Sequence, residues 1–408
     1  MKFPAERPEN FCLLPFKSIR QNAFGQNSPC AFGAGEWQHG HLNPKERWQS
    51  KELNEMRQEF INGNKPEACN RCWAEEQGGK KSLRQRTLVD FPNDYENFIK
   101  TDAWLKGPKV AVFKTSNICN LACRSCAGWD TSMYHQEGQF YIDNFGTTQL
   151  HEGKYFKHNR FMPSDPRKHT DFSQYFEIAE NLERLDFFGG EPFLNQTHLD
   201  LLEYLIEKKL SDKMTLFYST NGTNHPSERL KKAWDKFKMI EISFSIDGIE
   251  NTFEYTRWPG KWTKLIEVIA DINNLKNYLN CELLLMSSLT ISSINCYEAD
   301  NILTWHKQNI GEKYYINMVQ SPEYLAIHTL PEYVKQAVRQ HVKNPEVLGY
   351  MDINKSDELK FRKFIIWMKR QDFYRKQNFA EFYPEYYSLF AKDWAAVTDL
   401  TDKYFYNL

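Results

Sequence analysis

The sequence predicts an α/β fold in which repeated βα units surround a parallel sheet. From residue 109 to about 320, six short apolar runs (109–114, 183–188, 214–219, 240–246, 281–287 and 313–319) alternate with helical patterns. Polar and glycine-containing segments follow several of these runs, where the carboxyl ends of parallel strands would gather them. Seven of the nine cysteines lie at or before Cys126, which separates a cysteine-bearing front from the rest of the chain. The length of 408 residues accommodates three parts: a cysteine-containing region over 1–100, the βα region over 101–320, and a mainly helical extension over 321–408.

A formal net charge of −1 gives no electrostatic case for nucleic acid or an anionic membrane as partner. Lys80, Lys81, Arg84 and Arg86 lie close together and read as a solvated face. There is no run of apolar residues long enough to cross a bilayer, and Met1 to Arg7 lacks a signal-peptide core. Cysteines in such a chain argue for metal binding in a reducing cytoplasm rather than for a disulfide framework.

In chain order, the first feature is the set Cys12, Cys30, Cys69 and Cys72, the last two forming a tight C-x2-C pair. Four thiolates suit an iron–sulfur cluster or a structural zinc equally well. Glu75 to Arg84 reads as a helix end, a glycine break and a polar linker. Beyond the run Val110–Phe113 come Cys119, Cys123 and Cys126, spaced C-x3-C-x2-C. Three thiolates on one loop leave the fourth iron of a [4Fe–4S] cluster without a protein ligand, and the nearest further donor is His135.

The second run ends in Gly189-Gly190-Glu191-Pro192, whose glycines permit close backbone approach and whose carboxylate suits an ammonium group. The third ends in Ser219-Thr220-Asn221-Gly222, where Asn221 serves equally as ligand or as turn former. The fourth ends in Ser243 to Gly248, and Asp247 there reads as a helix cap or a site carboxylate. Arg257 offers a planar fork for a carboxylate, against the plainer reading of a surface ion pair. Residues 136–172, with His151, His158 and His169, read as a polar surface insertion. Cys281 and Cys296 read as small buried residues, although Cys296 is also placed where a hydrogen-atom donor could stand. From Pro331 the pattern turns helical, with Phe361, Phe364, Ile365, Trp367 and Met368 marking an amphipathic segment that packs on the barrel.

The cysteine spacing together with Gly189–Pro192 resembles the radical SAM superfamily. That resemblance implies an open, partial (β/α)6 barrel of the TIM type and a [4Fe–4S] cluster held by Cys119, Cys123 and Cys126. S-adenosylmethionine would chelate the open iron. It implies further that Gly189, Gly190, Glu191 and Pro192 receive the methionine amino group. Ser219 and Asn221 would bond the ribose or carboxylate, Ser245 would contact the cofactor, and Arg257 would pair with the methionine carboxylate. Reductive cleavage would give a 5′-deoxyadenosyl radical that takes hydrogen from a substrate C–H bond, with a flavodoxin- or ferredoxin-type reductant supplying the electron. One departure is Ser125, where many members carry an aromatic residue; adenine packing would then fall to Phe188 or Tyr218.

The frame Phe11-Cys12, Pro15-Phe16, Gly25, Pro29-Cys30, Trp48, Leu53, Arg57, Gly63, Pro66 and Cys69 to Trp73 is similar to the first half of a twitch or SPASM auxiliary-cluster domain. Here it precedes the barrel rather than following it. A second, auxiliary [4Fe–4S] cluster on Cys12, Cys30, Cys69 and Cys72 is implied, with zinc as the alternative. SPASM-type relatives suggest a peptide or protein substrate that is oxidised or cross-linked. The competing expectations are modification of a small molecule, nucleotide or sugar, and a non-catalytic iron–sulfur electron-transfer or docking module.

Overall fold

The chain is built around a single sheet, seen here in a computed structural model that describes residues 3–22, 25–30, 42–77, 81–126, 130–146, 171–353 and 356–401. Its strands are β1 (Ser18–Gln21), β2 (Asn27–Ser28), β3 (Val110–Lys114), β4 (Arg184–Phe188), β5 (Thr215–Thr220), β6 (Met239–Ser245), β7 (Glu282–Ile291) and β8 (Tyr314–Met318). They stand in the order β2-β1-β3-β4-β5-β6-β7-β8. β1 and β3 to β8 are parallel, and β2 runs antiparallel on the outer edge of β1.

Alternation along each strand sorts the side chains between two faces. Ile240, Ile242 and Phe244 of β6 are fully buried under the helical layer, as are Leu216 and Tyr218 of β5. Glu241 of β6 and Phe217 of β5 stand on the opposite face and line a common cavity. Val110, Arg184, Met286 and Tyr315 line that same cavity from four other strands, so the sheet curves round to enclose it. Helices cross over between consecutive parallel strands, including Leu199–Glu207, Glu228–Trp234, Trp262–Asn274 and Ala299–Asn309. Trp262–Asn274 shows why they sit there: Leu265, Val268, Ile269 and Ile272 form one apolar stripe, and all are buried against the sheet.

All six expected strands are present. β1 and β2 were not expected, because four residues carrying one apolar side chain leave no periodic signal. They extend the sheet out of the first hundred residues: Arg20 and Val112 are register partners, and Ile19 joins Ala111 and Phe113 in the core. The same hundred residues add an aromatic cluster of Phe3, Phe11, Phe16, Tyr95, Phe98 and Trp104. Buried Arg57 ties that cluster together by donating to the Pro15 and Trp48 carbonyls, each at 2.8 Å.

The gap between β8 and the β1 edge faces the helix Leu83–Asp90, which a Ser82–Gln85 capping box starts and whose Arg86 sits over the Tyr315 ring. Past β8 the extension is helical, and its longest helix, Glu358–Arg375, buries side chains on more than one face. The expected surface insertion is in part a packed helix, Tyr134–Phe145, with Tyr134, Glu137 and Tyr141 fully buried. Its hydrophobic spacing is interrupted by Glu137, whose charge is matched internally by Arg375, and that hid it from the sequence. His151, His158, His169 and Lys80 lie outside the described residues. Among the described residues no helix is long and apolar enough to cross a membrane.

Because β1 completes the sheet, a fragment beginning at residue 101 would leave β3 as a bare edge and uncover Ala111 and Phe113. Such a fragment is expected to precipitate or to lose its near-ultraviolet circular dichroism. A soluble, cooperatively unfolding fragment would show instead that the sheet stands without β1.

Candidate active site at the cysteine loop

The loop leaving β3 carries Cys119, Cys123 and Cys126, all half-buried. Its backbone is tied on every side. Ala122 donates to the Trp258 carbonyl at 2.7 Å and Arg124 to that of Thr256 at 2.8 Å. Thr131 Oγ1 donates to the Leu121 carbonyl at 2.6 Å, and the Tyr134 hydroxyl donates to that of Cys123. The thiols receive N–H groups: Cys119 Sγ from Leu121 N (3.4 Å) and Asn221 Nδ2 (3.7 Å), and Cys123 Sγ from Arg257 Nη1 (3.7 Å). Burial pushes the Cys119 thiol up to about 12 and raises Cys123 as well, although Arg257 opposes the second shift. Buried thiols of this kind are poor thiolates unless a cation joins them, and a metal cluster supplies that charge.

The glycine loop after β4 lies directly on the cysteine loop. Gly190 has φ +57°, and a Cβ there would stand 2.3 Å from the Ile118 carbonyl oxygen. Glu191 N closes the contact by donating to that same carbonyl at 2.8 Å. The Glu191 carboxylate is held by the protein's own donors. It is fully buried and accepts from Thr220 Oγ1 (2.7 Å), Asn221 N (2.7 Å) and Phe193 N (3.1 Å). Its role in this arrangement is to bind the second and third strand-end loops together, while Pro192 is buried beside it. Desolvation raises its pKa to about 7 in spite of those donors.

Asn221 is a turn former here, and it also touches the cysteine loop. Its Oδ1 accepts from Thr223 N at 2.9 Å, which shapes the turn, and its Nδ2 reaches Cys119 and Asn120 Oδ1. Asp247 does not cap the following helix, whose N-cap is Ile249: it pairs with Arg257 Nη2 at 2.7 Å and accepts from Thr290 N at 2.7 Å. Burial works against the Arg257 charge, and Asp247 with the neighbouring thiols more than restores it. Ser245 receives the Ser288 hydroxyl at 3.3 Å, and Ser219 is the register partner of Ser243. These hydroxyls stand at the carboxyl ends of three adjacent strands. Tyr218 is absent from this group. It is fully buried on the helical side between Phe187 and Trp234, so only Phe188 of the two expected aromatics faces the barrel interior.

Sequence reasoning missed the clamp on the loop. Arg124, between two of the cysteines, is fully buried and pairs with Asp372 of the helix Glu358–Arg375 at 2.7 Å. It also donates to Gln377 Oε1 (2.9 Å) and lies 3.6 Å above the Tyr255 ring. One turn on, Arg375 pairs with Glu137 at 2.9 Å, both fully buried, and sits over Trp258. A lone arginine inside a cysteine motif and a lone aspartate in an aromatic helix give no signal until they are seen together.

Cys12, Cys30, Cys69 and Cys72 line one small apolar cavity with Phe60 and Leu83. Burial, followed by the neighbouring thiols, raises Cys12, and burial also raises Cys69 and Cys72. No three of these sulfurs lie within 4.8 Å of one another; among the described residues only the exposed His225, Glu267 and Asp271 meet that spacing. Lys264 Nζ already stands 2.8 Å from His225 and 2.7 Å from Glu267. Cys296 is buried and 3.5 Å from the Tyr386 hydroxyl, as its packing role anticipates.

Residues 113–286 match the family model of the Radical SAM superfamily, a stretch that includes all three loop cysteines, Gly189–Pro192 and Arg257. No curated protein matches the chain. Among solved structures the chain is similar to native anSMEcpe with bound AdoMet, at 17% identity and a TM-score of 0.31, covering 66% of this chain and 62% of that one. It is also similar to Streptococcus suis SuiB bound to precursor peptide SuiA, at 15% identity and a TM-score of 0.34, covering 78% and 64%. The chain therefore spans a little under two thirds of the length of these structures.

Replacing Asp372 by Ala strands a buried guanidinium and is expected to lower unfolding free energy by about 3–5 kcal/mol. Adding Arg124→Met is expected to recover part of that loss, which urea titration of the single and double variants would read. For Glu191, the folded-state pKa of about 7 lies above the ordinary carboxyl value, so its stabilising contribution is complete at low pH and is lost as pH rises through 7. Glu191→Gln places an amide N–H against a donor and should cost about 1–3 kcal/mol. The stability gap between the two proteins should narrow between about pH 5 and pH 8; a constant gap would contradict it.

Proposed function

We propose that this chain is a radical SAM enzyme whose core occupies the matched stretch and whose substrate is a peptide or protein. The observation that carries the reading is the cysteine loop itself: three thiols presented from the carboxyl end of a parallel strand, each backbone turn tied, with a glycine loop packed on one side and Arg257 on the other. Three soft donors, two of them already receiving N–H groups, suit a [4Fe–4S] cluster with one open iron. When bound, that cluster and S-adenosylmethionine supply one-electron cleavage of the sulfonium, yielding the 5′-deoxyadenosyl radical that removes a substrate hydrogen.

The protein's own part is to hold and to exclude. Asp247 fixes one edge of Arg257, so the guanidinium is aimed at the cysteine loop and available to a carboxylate beside it. Gly190 brings bare backbone against the cysteine loop and Gly189 against the end of β3, so that backbone beside Glu191 can meet an ammonium group. Ser219, Ser245 and Asn221 offer hydroxyl and amide groups at adjacent strand ends for a ribose or a carboxylate. The Arg124–Asp372 pair keeps the loop from yielding when a ligand presses on it.

The four N-terminal thiols are assigned to an auxiliary [4Fe–4S] cluster. A single zinc would draw its sulfurs to about 3.8 Å from one another, closer than any three of these stand, whereas a cube of iron and sulfide accepts wider spacing. That cluster would supply electron-accepting capacity, which favours oxidation or cross-linking. The peptide substrate is inferred from the resemblance of this region to SPASM-type domains.

Cys123→Ala is expected to abolish 5′-deoxyadenosine formation under reducing conditions while the N-terminal metal is retained; continued cleavage would refute the assignment. Anaerobically reconstituted protein should contain about eight irons per chain. About four irons with one zinc would leave the core reading intact and make the N-terminal site structural.

A further inference from the structure

The curved sheet encloses a cavity of about 530 Å³. Its walls are largely apolar, with Val112, Phe188, Phe217 and Met286 from the strands and Phe91 from the N-terminal region. Cys30 stands in this wall and also in the wall of the small cavity formed by the four N-terminal thiols. A molecule in the barrel therefore lies against the side of the proposed auxiliary site.

The charged groups on this wall are matched almost throughout. Lys17 pairs with Asp94. Arg184 pairs with Asp186 at 2.6 Å and with Glu241 at 2.7 Å, and Lys313 reaches Glu241 at 3.5 Å. Asp90 is exposed at the rim. Arg20 is different. It projects from β1 on the same face as its register partner Val112, lines the cavity beside Cys30, and among the described residues has no ion pair and no side-chain hydrogen bond. Burial works against its charge, and the attraction of Cys30 and Asp130 does not offset this. A cation partly withdrawn from water and without a close counter-ion is costly, and an arriving anion relieves the cost.

We propose that Arg20 seats a carboxylate carried on an apolar substrate body in the barrel cavity. A single unpaired guanidinium fork amid largely apolar walls matches a planar monoanion; a phosphate dianion would call for a second free cation, and the other cations on the wall are already paired. The proposal rests on reading this barrel as the reaction chamber, and it assigns the substrate an acidic group. In a peptide that group is either an acidic side chain or a chain terminus.

The test is binding, measured anaerobically on the full chain by ligand-observed NMR titration without S-adenosylmethionine. The probes are N-acetyl-Glu-Phe-amide, N-acetyl-Gln-Phe with a free terminus, and neutral N-acetyl-Gln-Phe-amide. At least one acidic probe should bind about tenfold more tightly than the neutral one. Which acidic probe does so identifies the source of the carboxylate. Arg20→Met should abolish the preference, and Arg20→Lys should keep part of it. Should the Met variant fail to fold, Arg20→Gln, polar and neutral, reads the same outcome. Equal binding of all three probes to the native protein, or a preference that survives in the neutral variants, would overturn the proposal. Loss of S-adenosylmethionine cleavage with the Arg20-dependent preference intact would fault the enzymatic reading and leave this site standing.

Discussion

The cysteine loop depends on one buried ion pair, Arg124 with Asp372. The loop is short and wrapped around three thiols, and beyond buried Leu121 and Ala122 it has little apolar surface with which to hold itself. Arg124 supplies an anchor from inside the motif: its side chain passes away from the sulfurs, stacks on Tyr255 and ends on the helix Glu358–Arg375. A buried pair of this kind contributes little net stability compared with an apolar contact, because both partners are desolvated. Its effect is geometric. The loop has one position in which both charges are satisfied, and Arg375 with Glu137 repeats the arrangement a turn further along.

The rest of the site follows the same logic of carboxylates and amides used to hold loops rather than to face solvent. Glu191 joins two strand-end loops, Asp247 steadies Arg257, and Asn221 bridges its own turn and the Cys119 sulfur. The strand ends thereby become one connected surface. The helical extension, which reads from its sequence as a cap, is part of the machinery that sets the position of the cysteines.

Much of this was legible beforehand. The six parallel strands are long enough, and their alternation regular enough, for the period to show, and the three cysteines and the glycine loop announce themselves by spacing. What stayed hidden was long-range pairing. Arg124 and Asp372 are 248 positions apart, and nothing local marks either. β1 is too short to carry a period. Glu191 illustrates a subtler limit: its residue type does not tell which donors its carboxylate will meet, and here Thr220, Asn221 and Phe193 supply three from the protein itself. Tyr218 likewise sits one register position from the cavity, and a shift of one in a strand changes the face.

The separation between Arg124 and its anchor also bears on the order in which the molecule is made. A ribosome delivers the chain from its amino end, so the seven thiols from Cys12 to Cys126 emerge, and β1 and β3 can pair, long before Asp372 exists. Throughout that interval the loop has its sulfurs and lacks its latch. The nascent polypeptide thus passes through a period in which the position of the loop is not yet fixed, and only the late-emerging helix brings that period to an end.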